Sequence, residues 1–147
     1  MSDPFLISEP TAIAFSGGRT SAYMLWRVLQ SNGGLPPETV VFFNNTGKED
    51  EATLRFVRDC GINWNVPIVW IEFRHAETKF EIVNFETASR NGEPFEALIR
   101  WRGFLPNPVS RFCTMELKVR PAARYLLSIG MCENLNQGEN MSMIGMR

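Results

Sequence analysis

Apolar and polar positions alternate along this chain in blocks whose periods change between strand-like and helix-like. The run Ala12-Ile13-Ala14-Phe15 is continuously apolar, and residues 11 to 15 read as a first buried strand. Residues 20 to 31 switch to a helical period, with Ala22, Leu25, Trp26 and Leu29 at i, i+3, i+4 and i+7, and Gly33-Gly34 ends that pattern. A second apolar strand follows over residues 39 to 44. Thr46-Gly47-Lys48-Glu49 then has capping-box spacing for a helix running to about Cys60 and stopped by Gly61. Residues 66 to 73 supply a third strand. A βαβαβ order with near-continuous apolar strands predicts an α/β fold, a doubly wound parallel sheet with helices on both faces. Ligands of such sheets bind beyond the carboxyl ends of the strands. The stretches 16 to 21 and 44 to 47 both fall at such ends.

Beyond residue 74 the pattern is less regular. Residues 75 to 92 read as a flexible insert over the site, with Asn91-Gly92 as a turn. Pro94 suits the first position of a helix reaching about Arg102, and Pro106-Asn107-Pro108 forms a rigid loop that delivers Arg111. Thr114 caps a short helix. Pro121 either kinks that helix or starts the next, which ends near Gly130, and residues 141 to 146 read as a final strand. The chain contains no repeat, low-complexity tract or linker, and its 147 residues suit one domain.

An apolar content of 44% supports a single core. No apolar run approaches the ~20 residues of a membrane span, and Met1-Ser2-Asp3-Pro4 leads into no signal-like segment, so a cytoplasmic protein is expected. Cys60, Cys113 and Cys132 are widely separated and form no CxxC pair, which predicts reduced thiols rather than a disulfide framework or zinc ribbon. Cys60 falls at the buried end of a predicted helix. An iron–sulfur cluster within one chain would need about four cysteines. His75 is the only histidine, so neither a histidine triad nor a metal site built on histidine is expected. The net charge of -1 conceals a local excess: residues 90 to 124 carry seven basic side chains against three acidic ones. Most of these read as solvated helix faces, yet the segment as a whole attracts anionic groups. A near-neutral chain does not favour broad nucleic-acid binding.

Between the first strand and the first helix lies Ser16-Gly17-Gly18-Arg19-Thr20-Ser21. Two glycines let main-chain N–H groups approach a ligand closely, and the helix start adds unpaired donors and positive potential, so the expected ligand is a phosphate or pyrophosphate. The pattern G-x-x-x-x-G-K-[ST] is absent: Gly47-Lys48 is followed by Glu49, and Phe42 stands where its first glycine belongs. Gly17-Gly18 does not extend into G-x-G-x-x-G either. The hexapeptide instead resembles the PP-loop, S-G-G-x-[DT]-S, of the adenine-nucleotide alpha hydrolases. Three more segments resemble the branch of that superfamily containing phosphoadenosine phosphosulfate (PAPS) reductase. They are Phe43-Asn44-Asn45-Thr46-Gly47-Lys48-Glu49, Arg111-Phe112-Cys113-Thr114-Met115-Glu116-Leu117-Lys118 with Pro121, and Ile144-Gly145-Met146-Arg147.

The resemblance implies an adenine-nucleotide alpha hydrolase-like, Rossmann-like fold and a site assembled from all four segments. Ser16, Gly17, Gly18, Arg19, Thr20 and Ser21 would hold phosphate oxygens, and Asn45, Thr46 and Gly47 would shape the nucleoside pocket. Arg111, Cys113 and Lys118 would carry the chemistry, and Arg147 would clamp a phosphate or sulfate. Cys113, after Arg111 and just before a helix start, sits where positive potential favours the thiolate, although free cysteines also serve as small buried hydrophobes. The implied substrates are ATP, PAPS or adenosine phosphosulfate, with Mg²⁺ as a compatible companion ion. The implied reactions are sulfur transfer or cleavage of the α–β phosphate bond. Two departures open an alternative. Thr20 stands where ATP-splitting members carry aspartate, and the sequence stops at Arg147, before the cysteine-bearing tail of the sulfonucleotide reductases; Cys132 lacks that tail motif and reads as structural. The alternative is a nucleotide-binding module without turnover, working as a homo-oligomer or with a partner chain.

Overall fold

The computed structural model describes residues 3 to 103 and 115 to 142. Four strands form one sheet in the order β1 (Thr11–Ala14), β2 (Thr39–Asn45), β3 (Ile68–Phe73) and β4 (Phe80–Val83). β1 to β3 are parallel, as expected of strands joined through helices, with Ala14 opposite Phe42 and Asn44 opposite Ile71. β4 corrects two expectations. It lies within the supposed insert, and it pairs with β3 antiparallel, Phe73 opposite Phe80, so the sheet is mixed. The connection from residue 74 to 79 is too short for a crossover, and a hairpin is the only return open to it.

Helices cover both faces. α1 (Arg19–Asn32) and α2 (Glu51–Asn63) lie on one face, where Ala22, Leu25, Val28, Leu54 and Val57 pack on Ile13, Phe15, Val41, Phe43 and Trp70. The other face carries α4 (Arg120–Ser128), whose Ala122 and Leu126 pack with Ala12, Ala14, Phe42, Ile71 and Cys132. Successive strand residues point to opposite faces. Phe42 and Phe43 therefore serve different cores, and β2 reads as one unbroken apolar run. α3 (Glu93–Arg102) and a π-helical turn (Met115–Val119) close a third cluster of Phe73, Leu98 and Leu117, at the carboxyl end of β3. α5 (Leu135–Ser142) packs on α4 and β1.

Local chemistry explains most boundaries. Gly33 ends α1 in the left-handed region at φ 65°, its N–H donating to Leu29 O. α3 starts with Pro94 in its first turn and ends at Gly103, φ 78°. Other boundaries are corrections. α2 is capped by Asp50, whose carboxylate accepts from Ala52 N–H at 3.0 Å, while Thr46 braces the preceding loop. Gly61 does not stop α2; it lies inside, where an added Cβ would stand 3.2 Å from Val66 O. Trp26 is 40% exposed, because the buried stripe of α1 runs Ala22, Leu25, Val28. Pro121 sits in the first turn of α4, directly after the π-helical turn, and α4 ends at Ser128. A proline gives no N–H to the turn before it, and the wider π turn absorbs that loss. Met141 and Ser142 close α5 rather than opening a strand; residues 143 to 146, the loop at 106 to 108 and the Thr114 cap lie outside the described residues.

Candidate functional site

β1, β2 and β3 deliver three loops to one rim. At the first, Phe15 N–H donates to Phe42 O at 2.8 Å, keeping the chain on β2 until Ser16, where it turns into α1. Ser21, buried in the first turn of α1, accepts from Ser16 N–H at 2.9 Å through its Oγ and so pins the loop to the helix it precedes. Gly17 adopts φ +85°, and a Cβ there would lie 2.7 Å from Thr53 Cγ2 and 3.1 Å from Val57 Cγ2. The loop is thus pressed against α2 as only glycine permits. Gly18 is different: its φ is ordinary, and a Cβ would meet nothing nearer than Ser16 Oγ at 3.7 Å. As the N-cap it brings no side chain to the helix end, and the first turn holds no acidic residue. The first-turn amides point outward with the positive end of the helix dipole, beside exposed Ser16, Arg19 and Thr20. Such a surface attracts an anion.

The second loop is held from within. Asn45, 1% exposed, donates through Nδ2 to Glu72 Oε2 at 2.6 Å and to Ser89 O at 2.9 Å, and its Oδ1 accepts from Gly47 N–H at 3.2 Å. Its side chain therefore braces the loop. Thr46 Oγ1 accepts from Lys48 N–H at 3.3 Å. Gly47, φ +83°, lies so close to the segment before α3 that a Cβ would stand 2.9 Å from Gly92 Cα, and Gly92 N–H donates to Gly47 O at 2.9 Å.

Glu72 is the residue at this rim that sequence reasoning missed. It is fully buried, and its carboxylate accepts from Asn45, from Ser89 N–H at 2.6 Å and Oγ at 2.7 Å, and from Arg74 Nη1 at 2.7 Å. Burial pushes its pKa up, but these donors outweigh burial and leave it below the usual carboxylate value. The available signal was a lone glutamate inside the apolar run Val69-Trp70-Ile71-Glu72-Phe73.

Lys118 lies half-buried on the π-helical turn, which packs against β2 and β3; Arg111, Cys113 and Arg147 fall outside the described residues. Glu116, on the same turn and 1% exposed, was also missed. Its Oε1 accepts from Arg102 Nη2 at 2.5 Å and from Arg120 Nη1, tying α3, the turn and α4 together. Four buried side-chain atoms among the described residues have no hydrogen-bond partner: Thr39 Oγ1, Asn44 Oδ1, Glu116 Oε2 and Arg124 Nη1. Thr39 is at the amino end of β2, away from the rim. Burial lowers the Arg124 pKa, Glu116 opposing it. Cys60 and Cys132 are buried free thiols, and burial raises both pKa values. No cluster of three or more histidine, cysteine or acidic side chains able to hold a metal occurs among the described residues. No helix among them is long and apolar enough to cross a membrane.

No family model and no solved structure matches the chain. Over 144 residues it is 30% identical to the uncharacterized nin region protein ORF290 of Escherichia phage lambda. The alignment covers 92% of this chain and 47% of that protein, so the chain spans about half the length of the curated relative it matches.

Proposed function

We propose that this chain binds an adenine nucleotide at the carboxyl rim of β1 and β2, in the manner of the PAPS reductase family, within a doubly wound, Rossmann-like fold. The observation that carries the reading is the loop from Ser16 to Ser21: Gly17 packed where no Cβ fits, Gly18 open, and a helix end with no side-chain cap or acidic residue. Phosphate oxygens accept from the outward amides there, and Arg19 adds a charge-assisted contact. Lys118, on the turn packed against β2, and Arg111 and Cys113 just before that turn supply positive charge and a thiol for chemistry on a sulfonucleotide or on the α–β phosphate bond of ATP. Arg147 adds a bidentate phosphate contact. Mg²⁺ would arrive with the nucleotide, held by its phosphates. Thr20 favours a second reading, a nucleotide-binding module that depends on a partner for turnover, because the exposed second position of α1 carries no carboxylate.

Calorimetric titration with ATP, adenosine phosphosulfate and PAPS, with and without Mg²⁺, tests the proposal on the natural chain and on Gly18→Trp. Binding that the tryptophan abolishes supports the cradle, and the preferred ligand separates sulfonucleotide chemistry from ATP cleavage. Silence of all three at millimolar concentration rejects the reading.

A further inference from the structure

Asn44 is 7% exposed, and its Oδ1 is buried without a partner. It lies in register with Ile71 and two residues beyond Phe42, which places it on the face of the sheet that α4 and the π-helical turn cover. Continuing the register past Ala14 and Phe42 sets it opposite Ser16, the first residue of the phosphate loop. An amide buried with an unmet acceptor costs stability that leucine at the same place would not. Glu116 Oε2, on the π-helical turn that packs against β2, and Arg124 Nη1, on α4, are also unmet. Asn44 is thus a buried polar group whose acceptor no protein donor meets, in register with the start of the anion-attracting loop, a position that a polar ligand can complete.

We propose that Asn44 determines base specificity, its carboxamide meeting the exocyclic amino group and N7 of adenine. The inference rests on the nucleotide reading above and adds the residue that selects the base. Adenine presents a donor beside an acceptor, and an asparagine carboxamide presents the complementary pair. Asn45 cannot take this role, since both Nδ2 and Oδ1 are bonded within the protein.

The test displaces the best-binding nucleotide of the titration above with AMP and with inosine monophosphate, which carries a carbonyl oxygen where AMP carries the amino group. It uses the natural chain and Asn44→Leu, each also followed by thermal melting. The natural chain should favour AMP roughly ten- to a hundredfold. Asn44→Leu should melt at the same temperature or higher and bind both monophosphates equally. Equal affinity for the two in the natural chain, or a preference that survives in Asn44→Leu, overturns the role of Asn44 and leaves the nucleotide site standing. Failure of ATP, adenosine phosphosulfate and PAPS alike to bind overturns both.

Discussion

Asn45 Nδ2 donates to Glu72 Oε2 at 2.6 Å between residues in direct register on β2 and β3. The same two side chains collect Ser89 O, Ser89 N–H and Gly47 N–H, so one buried pair fixes both the second rim loop and the segment leading to α3. Replacing either partner strands the other. Glu72→Gln should cost about 2–4 kcal/mol of stability at neutral pH, and Asn45→Ala about 1–3 kcal/mol. The folded pKa of Glu72 lies below the 4.5 of an ordinary glutamate. Its contribution is therefore complete above that value and is lost as pH falls through the folded pKa. Urea midpoints should show a gap between natural protein and Glu72→Gln that narrows below pH 4.5; a constant gap would show that ionisation contributes nothing.

Gly17 and Gly18, adjacent in one loop, should differ in their structural cost of substitution. Gly17→Ala meets Thr53 Cγ2 at 2.7 Å in a left-handed conformation and should destabilise by about 1–3 kcal/mol. Gly18→Ala meets open space at an ordinary φ and should cost no more than about 1 kcal/mol, the difference between glycine and alanine at an N-cap. Thermal melts of both variants decide this, and equal losses would refute it.

Gly47 and Gly92 are both left-handed, yet the neighbours of an added Cβ differ. At Gly47 it meets the Gly92 backbone at 2.9 Å; at Gly92 it meets the flexible end of Lys48, Cε at 2.5 Å. A backbone cannot swing aside and a lysine tip can. Gly47→Ala should therefore be the more damaging, and Lys48→Ala should rescue part of Gly92→Ala but none of Gly47→Ala in denaturation experiments.

Two of the three thiols should resist modification. Cys60 and Cys132 are buried with raised pKa values, so at pH 7 neither should react with an aromatic disulfide reagent until the protein unfolds. On the proposed function Cys113 reacts first, and Cys113→Ser should abolish the fast phase. A fast phase that persists in the serine variant would remove Cys113 from the chemistry.

Neighbouring residues on α1 should behave in opposite ways. Leu25 is fully buried, and Leu25→Ala should cost about 2–5 kcal/mol. Trp26→Ser, at 40% exposure, should change stability by about 0.5 kcal/mol or less. A large loss at Trp26 would mean that its ring packs in solution against something other than Tyr23, its one aromatic neighbour among the described residues.

Three strands, two crossover helices and the glycine turn between β1 and α1 were legible in the chain itself. Buried parallel strands are apolar throughout, and Gly33 ended α1 where the pattern placed it, whereas Gly61 lies inside α2. Tertiary structure decided the rest. Which stripe of α1 is buried depended on the sheet beneath it, and it chose Val28 over Trp26. Asp50, rather than Thr46, capped α2 because the Asn45 and Gly47 contacts first turn the chain away from β2. β4 turned antiparallel because its loop is too short to cross over. Glu72 and Glu116 acquired their roles from partners 14 to 27 residues away, Arg102, Ser89 and Asn45. Local pattern records which side chains avoid water and supplies near donors such as Arg74 and Arg120, but it carries no record of the distant donors that complete a buried carboxylate's partners.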